Sequence, residues 1–149
     1  FNLVTNFYDM FYNCGELEEL DLSNFNTKNC ICFDCMFYGC KNMKKIDVSN
    51  FNSSSCQQMN YMFYGCENID EIDMIKWDMK EITQITYLFY GCKKLTKIQM
   101  SCNFKNIDKI GMDYIFDGIP EEGNFIFLKE VDCKRILKVL PTVYNRTKI

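Results

Sequence analysis

One string returns along the chain at fixed spacing. Met10-Phe11-Tyr12-Asn13-Cys14 recurs as Met36-Phe37-Tyr38-Gly39-Cys40, as Met62-Phe63-Tyr64-Gly65-Cys66 and as Leu88-Phe89-Tyr90-Gly91-Cys92, each time after 26 residues. A degenerate fifth copy, Ile115-Phe116-Asp117-Gly118-Ile119, follows after 27. Between these blocks a second string, Leu17 to Phe25, recurs as Met43 to Phe51, as Ile69 to Trp77 and, with one extra residue, as Leu95 to Phe104. A strict period of this size calls for stacked units that bury their apolar faces on one another, not for one closed core.

Each unit has a local reading. Val4, Phe7, Met10, Phe11 and Cys14 stand at spacings of 3, 3, 1 and 3, which predicts one apolar stripe of a two-turn helix. Gly39, Gly65 and Gly91 fall where such a helix needs a left-handed residue to stop. In Leu17-x-x-Leu20-x-Leu22 the last two apolar residues alternate with polar ones, as in a short strand with one buried face. The expected coil is therefore a short helix, a tight turn, a short strand and a return loop, with the strands forming a parallel sheet on one face.

Residues 1–119 make about four to five such coils, the N-terminal one incomplete, and 120–149 form a C-terminal cap. In the cap, Pro120-Glu121-Glu122-Gly123-Asn124 is turn chemistry and Phe125-Ile126-Phe127-Leu128 reads as a last strand. Asp132 is placed to cap a helix burying Val131, Cys133, Ile136, Leu137 and Leu140, which Pro141 ends. The chain opens at Phe1-Asn2-Leu3 without an initiator Met or a signal peptide, and so reads as a mature or truncated piece of something longer. The stripe Val4–Phe7–Phe11 is left bare on one side, and upstream sequence or a partner chain is expected to cover it.

Composition narrows the chemistry. The 149 residues carry a net charge of −3, which offers no basic footprint for nucleic acid, and no stretch reaches the roughly 18 apolar residues of a membrane span. Histidine is absent, which removes the Ser-His, Cys-His and His-metal constellations, so no enzyme activity, catalytic residue, metal or cofactor is expected.

The recurring Met-Phe-Tyr-Gly-Cys, together with Leu20-Asp21-Leu22-Ser23-Asn24-Phe25-Asn26 and Ile46-Asp47-Val48-Ser49-Asn50-Phe51-Asn52, resembles BspA-type leucine-rich repeats. These occur in surface proteins of bacteria and of parasitic or free-living protists. The ending Gly123-Asn124-Phe125 through Leu140-Pro141 is similar to that group's C-terminal cap. The resemblance implies a right-handed leucine-rich-repeat solenoid and cell-surface or extracellular adhesion through protein binding. Departures lie in the last two coils, where Ile75-Lys76-Trp77 replaces Ser-Asn-Phe and Gln99 replaces the Asp.

Two surfaces are candidates for a protein partner, the strand face first and an outer tyrosine stripe as the alternative. On the strand face, Asp21, Asp47, Asp73 and Gln99 form one outward column, and Glu19, Lys45, Glu71 and Lys97 alternate in sign beside it. Stacked carboxylates about 4.8 Å apart repel, so they must be solvated, hydrogen-bonded by nearby Ser or Asn, or matched to a cationic partner. The alternating column suits cross-strand pairing of about 0.2–1 kcal/mol per pair. On the outer side, Tyr12, Tyr38, Tyr64 and Tyr90 follow the buried Phe of each unit, and Tyr61, Tyr87 and Tyr114 precede the apolar pair. Tyr38, Tyr61, Tyr64, Tyr87 and Tyr90 make a stripe open to a partner or half-buried between neighbouring coils.

The ten cysteines read mainly as small apolar side chains. Cys14, Cys40, Cys66 and Cys92 share a column, Cys30 and Cys56 occupy the column of Val4 and Ile82, and Cys32, Cys35, Cys102 and Cys133 are the reactive or pairing candidates. Cys30-x-Cys32-x-x-Cys35-x4-Cys40 is the one run resembling a zinc site, but a helix would point its thiols along different faces. Asn52-Ser53-Ser54 and Asn145-Arg146-Thr147 match the N-glycosylation triplet. Set against surface adhesion is an intracellular scaffold or structural subunit of a large assembly, which free thiols and an unglycosylated Asn52 would favour.

Overall fold

Residues 4–128 and 133–149 are described in the computed structural model. Four strands, β1 (Glu71–Met74), β2 (Lys97–Met100), β3 (Asn124–Phe127) and β4 (Asn145–Lys148), form one sheet in the order β1-β2-β3-β4. All three pairings are parallel, with Glu71 opposite Lys97, Lys97 opposite Asn124 and Asn124 opposite Asn145. Among the described residues, helix is confined to a 3-10 turn at Ile107–Lys109 and α1 (Lys134–Val139). Parallel strands one repeat apart put Ile72 and Met74 beside Ile98 and Met100, all fully buried.

The predicted two-turn helices are not formed. Their place is taken by a run of overlapping tight turns in each repeat. Within each, Met10, Tyr12 and Cys14 donate their N–H to the carbonyl three residues back. Phe7, Asp9, Phe11 and Asn13 instead donate to Cys32, Asp34, Met36 and Tyr38 of the next repeat, at 2.6–3.2 Å. The pattern continues through Phe37 to Met62, Phe63 to Leu88 and Phe89 to Ile115. A helix would hold all these amides within the segment; here alternate amides join one repeat to the next. What permits this is left-handed backbone at every fourth residue: Asp9 and Asn13, then Cys35 and Gly39, Tyr61 and Gly65, Tyr87 and Gly91, Tyr114 and Gly118. Apolar residues four apart fall on the same side in either arrangement, which is why the spacing suggested a helix. The glycines at 39, 65 and 91 do take left-handed backbone, with φ of 70°, 67° and 70°.

Strands are also fewer than the repeat suggests. The segments around Leu20-Asp21-Leu22 and Ile46-Asp47-Val48 keep the expected alternation, with Leu22 and Val48 buried and Asp21 and Asp47 exposed, but they are not strands. Leu20 and Ile46 are only half-buried there, whereas Ile72 and Ile98 are fully buried. The sheet is thus consolidated toward the C-terminal side, where β3 and β4 extend it. The expected strand at 125–128 is β3, shifted by one residue. α1 begins after Cys133 without a side-chain cap, and Leu140 closes it just before Pro141; the proposed cap Asp132 and buried Val131 lie outside the described residues. β4 had no counterpart in the sequence reading.

The core is a file of rings. Phe11, Phe37, Phe63, Phe89 and Phe116 follow one another at centroid distances of 5.6, 5.6, 6.0 and 5.9 Å, within 14° of parallel. Beside it Phe33, Phe51 and Trp77 pack at 5.5–5.9 Å, and the Trp77 indole N–H donates to the Val48 carbonyl at 2.9 Å. Among the described residues, the first repeat packs against one neighbouring repeat, the second. Met10 is 49% exposed, where its equivalents Met36, Met62 and Leu88 are 0%. Phe63→Ala, in the middle of the file, is expected to cost about 3–5 kcal/mol, and Phe11→Ala, at its open end, less than half of that. Denaturant midpoints of the two variants, read at unchanged m-value, check this; equal losses would mean the rings do not form a graded stack.

Candidate functional site

On the strand face the parallel register brings Glu71 beside Lys97, and the Lys97 Nζ lies 2.7 Å from the Glu71 carboxylate. The Gln99 side-chain amide donates to the same carboxylate at 3.1 Å. The hydrogen bond and charge of Glu71 raise the Lys97 pKa. Lys45 makes no such pair: among the described residues no carboxylate lies within ion-pair distance of it. The alternating column is therefore closed at one step. Two pairs were missed, Lys44–Glu18 at 2.7 Å and Lys93–Glu67 at 2.9 Å. The same sign change after 26 residues, at positions 18/44 and 67/93, could have found them.

The aspartate column is hydrogen-bonded locally. Asp21 and Asp47 each accept the backbone N–H two residues on, from Ser23 and Ser49, at 2.9 Å, and Asp73 accepts that of Ile75 at 3.0 Å. The Ser49 hydroxyl adds a bond to Asp47 at 2.6 Å. Serine hydrogen bonds hold the Asp21 and Asp47 carboxyls below their ordinary pKa. Most of this face is thus engaged with itself, although Lys45, Asp47, Glu71 and Asp73 line a shallow hollow with Ile46 and Asp70.

The tyrosine face is built differently. Tyr12, Tyr38, Tyr64 and Tyr90 stack at 4.7, 4.5 and 4.8 Å, within 15° of parallel. A second row, Tyr61, Tyr87 and Tyr114, stacks at 4.9 Å per step, and the rows touch at 5.4–6.5 Å. All five tyrosines of the expected stripe meet here, extended by Tyr12 and Tyr114 at 44% and 55% exposure. They meet through turns rather than along a helix face. Tyr61, Tyr87 and Tyr114 sit at φ near 56°, a conformation that costs a bulky residue about 1–2 kcal/mol. That strain was not visible in the sequence. Burial raises the pKa of Tyr38 and Tyr87.

The thiols serve the interior. Cys40, Cys66 and Cys92 donate to the carbonyls of Phe11, Phe37 and Phe63 of the preceding repeat at 3.0–3.1 Å, and Cys30 donates to Cys32 at 3.1 Å. All ten cysteines are free. Among the described residues no cluster of three or more Cys, Asp or Glu side chains is arranged to hold a metal ion, and no helix is long and apolar enough to cross a membrane. Of the glycosylation triplets, Asn52 already accepts from Ser54 at 2.7 Å, while Asn145-Arg146-Thr147 lies on the exposed strand β4.

Burial pushes the Cys30 and Cys40 thiols up to about 11 and that of Cys92 up to about 12. A folded pKa above the ordinary 9.0 means that the neutral thiol favours the fold below that pH. This stabilisation is lost as pH rises through the folded values. Denaturant midpoints are therefore expected to fall steadily above about pH 9, and a Cys40→Ala/Cys92→Ala variant should fall less steeply. Lysine and tyrosine titration is common to both proteins, so parallel slopes would assign the alkaline loss elsewhere.

No curated protein and no solved structure matches the chain. A family model does, over residues 4–123, which takes in the repeats and their tyrosine and strand faces. The chain belongs to the family described as Mycoplasma protein of unknown function, DUF285.

Proposed function

We propose that the chain is a right-handed solenoid of BspA-type leucine-rich repeats that acts as a non-enzymatic protein-binding module, and that the tyrosine face is its contact surface. The observation that carries this reading is the second tyrosine row. Glycine or asparagine would fill a left-handed position at less cost, yet Tyr61, Tyr87 and Tyr114 stand there. Strain retained in register over three repeats is retained for the side chain it displays. Tyrosine offers large contact area at low entropy cost, and pre-stacked rings lose little further freedom when a partner docks. The strand face is the weaker candidate, because Glu71, Lys97, Gln99 and the aspartates already bond to one another or to backbone. Cell-surface attachment follows from the resemblance to BspA-type repeats.

An intracellular scaffold is the second reading, favoured by thiols that donate to backbone carbonyls at Cys40, Cys66 and Cys92. Disulfides at those positions would break the bonds, and a reducing compartment keeps them. Intact mass of natively isolated protein with and without reductant separates the two: glycans or disulfides place the chain outside, a bare fully reduced chain inside.

The contact surface is tested with cultured cells and immobilised matrix proteins as binding targets. Tyr64→Ala/Tyr90→Ala is expected to weaken binding at least about tenfold, as loss of central aromatic anchors does. Asp47→Lys/Asp73→Lys is expected to change it less than about threefold, as loss of rim charges does. Circular dichroism controls for folding. Loss on charge reversal alone would move the contact to the strand face.

A further inference from the structure

The tyrosine rows are also set up for covalent chemistry between repeats. We infer that the stacked pairs Tyr64–Tyr90 and Tyr61–Tyr87 are sites of oxidative carbon–carbon coupling, forming intrachain dityrosine when hydrogen peroxide and a peroxidase are supplied. This inference rests on the ring geometry alone and stands whether or not the face binds a partner.

Coupling requires two phenoxyl radicals whose ring carbons next to the oxygen meet face to face. Between free molecules that encounter is rare; here it is built in. Tyr64 and Tyr90 lie 4.8 Å apart at 7°, and Tyr61 and Tyr87 lie 4.9 Å apart at 8°. Holding two reacting groups in contact replaces a bimolecular encounter with an intramolecular one, which raises their effective concentration by orders of magnitude. All four rings are half-buried, so each keeps an edge in solvent where an oxidant can reach it.

The balance is simple. One hydrogen peroxide takes one hydrogen atom from each of two phenol hydroxyls and leaves as two waters. The two radicals then form one carbon–carbon bond at the ortho positions. The two ortho hydrogens shift through solvent to the oxygens, so both rings regain aromaticity and both hydroxyls. The linked chain is lighter by two hydrogen atoms.

Tyr38 and Tyr64 stack in the same way, at 4.5 Å. Each link would tie residues 26 apart and so fasten one repeat to the next.

The test uses the full chain at low concentration with horseradish peroxidase and hydrogen peroxide, read by dityrosine fluorescence, denaturing gel and mass spectrometry of peptides. Fluorescence is expected in the monomer band, with linked peptides joining Tyr64 to Tyr90 and Tyr61 to Tyr87. Tyr64→Phe/Tyr87→Phe keeps the rings but removes two phenols, and of five stacked tyrosine pairs only Tyr12–Tyr38 survives. Monomer fluorescence should then fall severalfold, and urea-unfolded wild type should lose it to the same degree. Three outcomes would overturn the inference: dityrosine confined to dimers and larger species, an unchanged monomer yield in the Phe variant, or links mainly through the unstacked Tyr8 or Tyr144.

Discussion

Alternate backbone amides of each turn segment donate to the next repeat and not back into their own. That choice sets the rest. A helix satisfies its interior amides by itself and can slide against its neighbours, whereas a segment with half its donors pointing along the stack is fixed to one register. Once register is fixed, equivalent side chains must lie on top of one another. The phenylalanine file, the cysteine column bonded to the carbonyls of the repeat before it, and the tyrosine rows all follow from it.

The same constraint explains why the two candidate faces differ. On the strand face, long charged side chains in register can reach one another or nearby backbone, and they do so as Glu71–Lys97 and as the turns at Asp21, Asp47 and Asp73. Such exposed pairs add at most about 1 kcal/mol each and leave little unsatisfied for a partner to meet. On the tyrosine face, register makes the rings stack while each stays half-buried or exposed. Stacking removes side-chain freedom before any partner arrives, which is what a recognition surface and a coupling site both need.

Much of this was legible in the sequence because a repeat turns one local preference into a column. The spacing of Phe11, Phe37, Phe63 and Phe89 gave the ring file, and Gly39, Gly65 and Gly91 gave the left-handed position. The helix was misread because Phe7 and Phe11 are four apart, which helix turns and successive tight turns share. Asp9 and Asn13, residue types that tolerate left-handed backbone, were the available hint. In later repeats Cys35, Tyr61 and Tyr87 hide it, since nothing in their chemistry asks for that conformation. β4 escaped notice because Asn145-Arg146-Thr147-Lys148 is exposed throughout and has no apolar alternation to read. The tyrosine stripe was found for a partly mistaken reason: Tyr61 and Tyr64 meet across a turn, with no shared helix face.

Through-hydrogen-bond scalar couplings in an isotope-labelled sample test the inter-repeat register most directly. Couplings are expected from the amide nitrogen of Phe37 to the carbonyl carbon of Met62 and from that of Phe63 to Leu88. Couplings from Phe37 and Phe63 to carbonyls four residues earlier in their own segments would contradict it, and would restore the helix in its place.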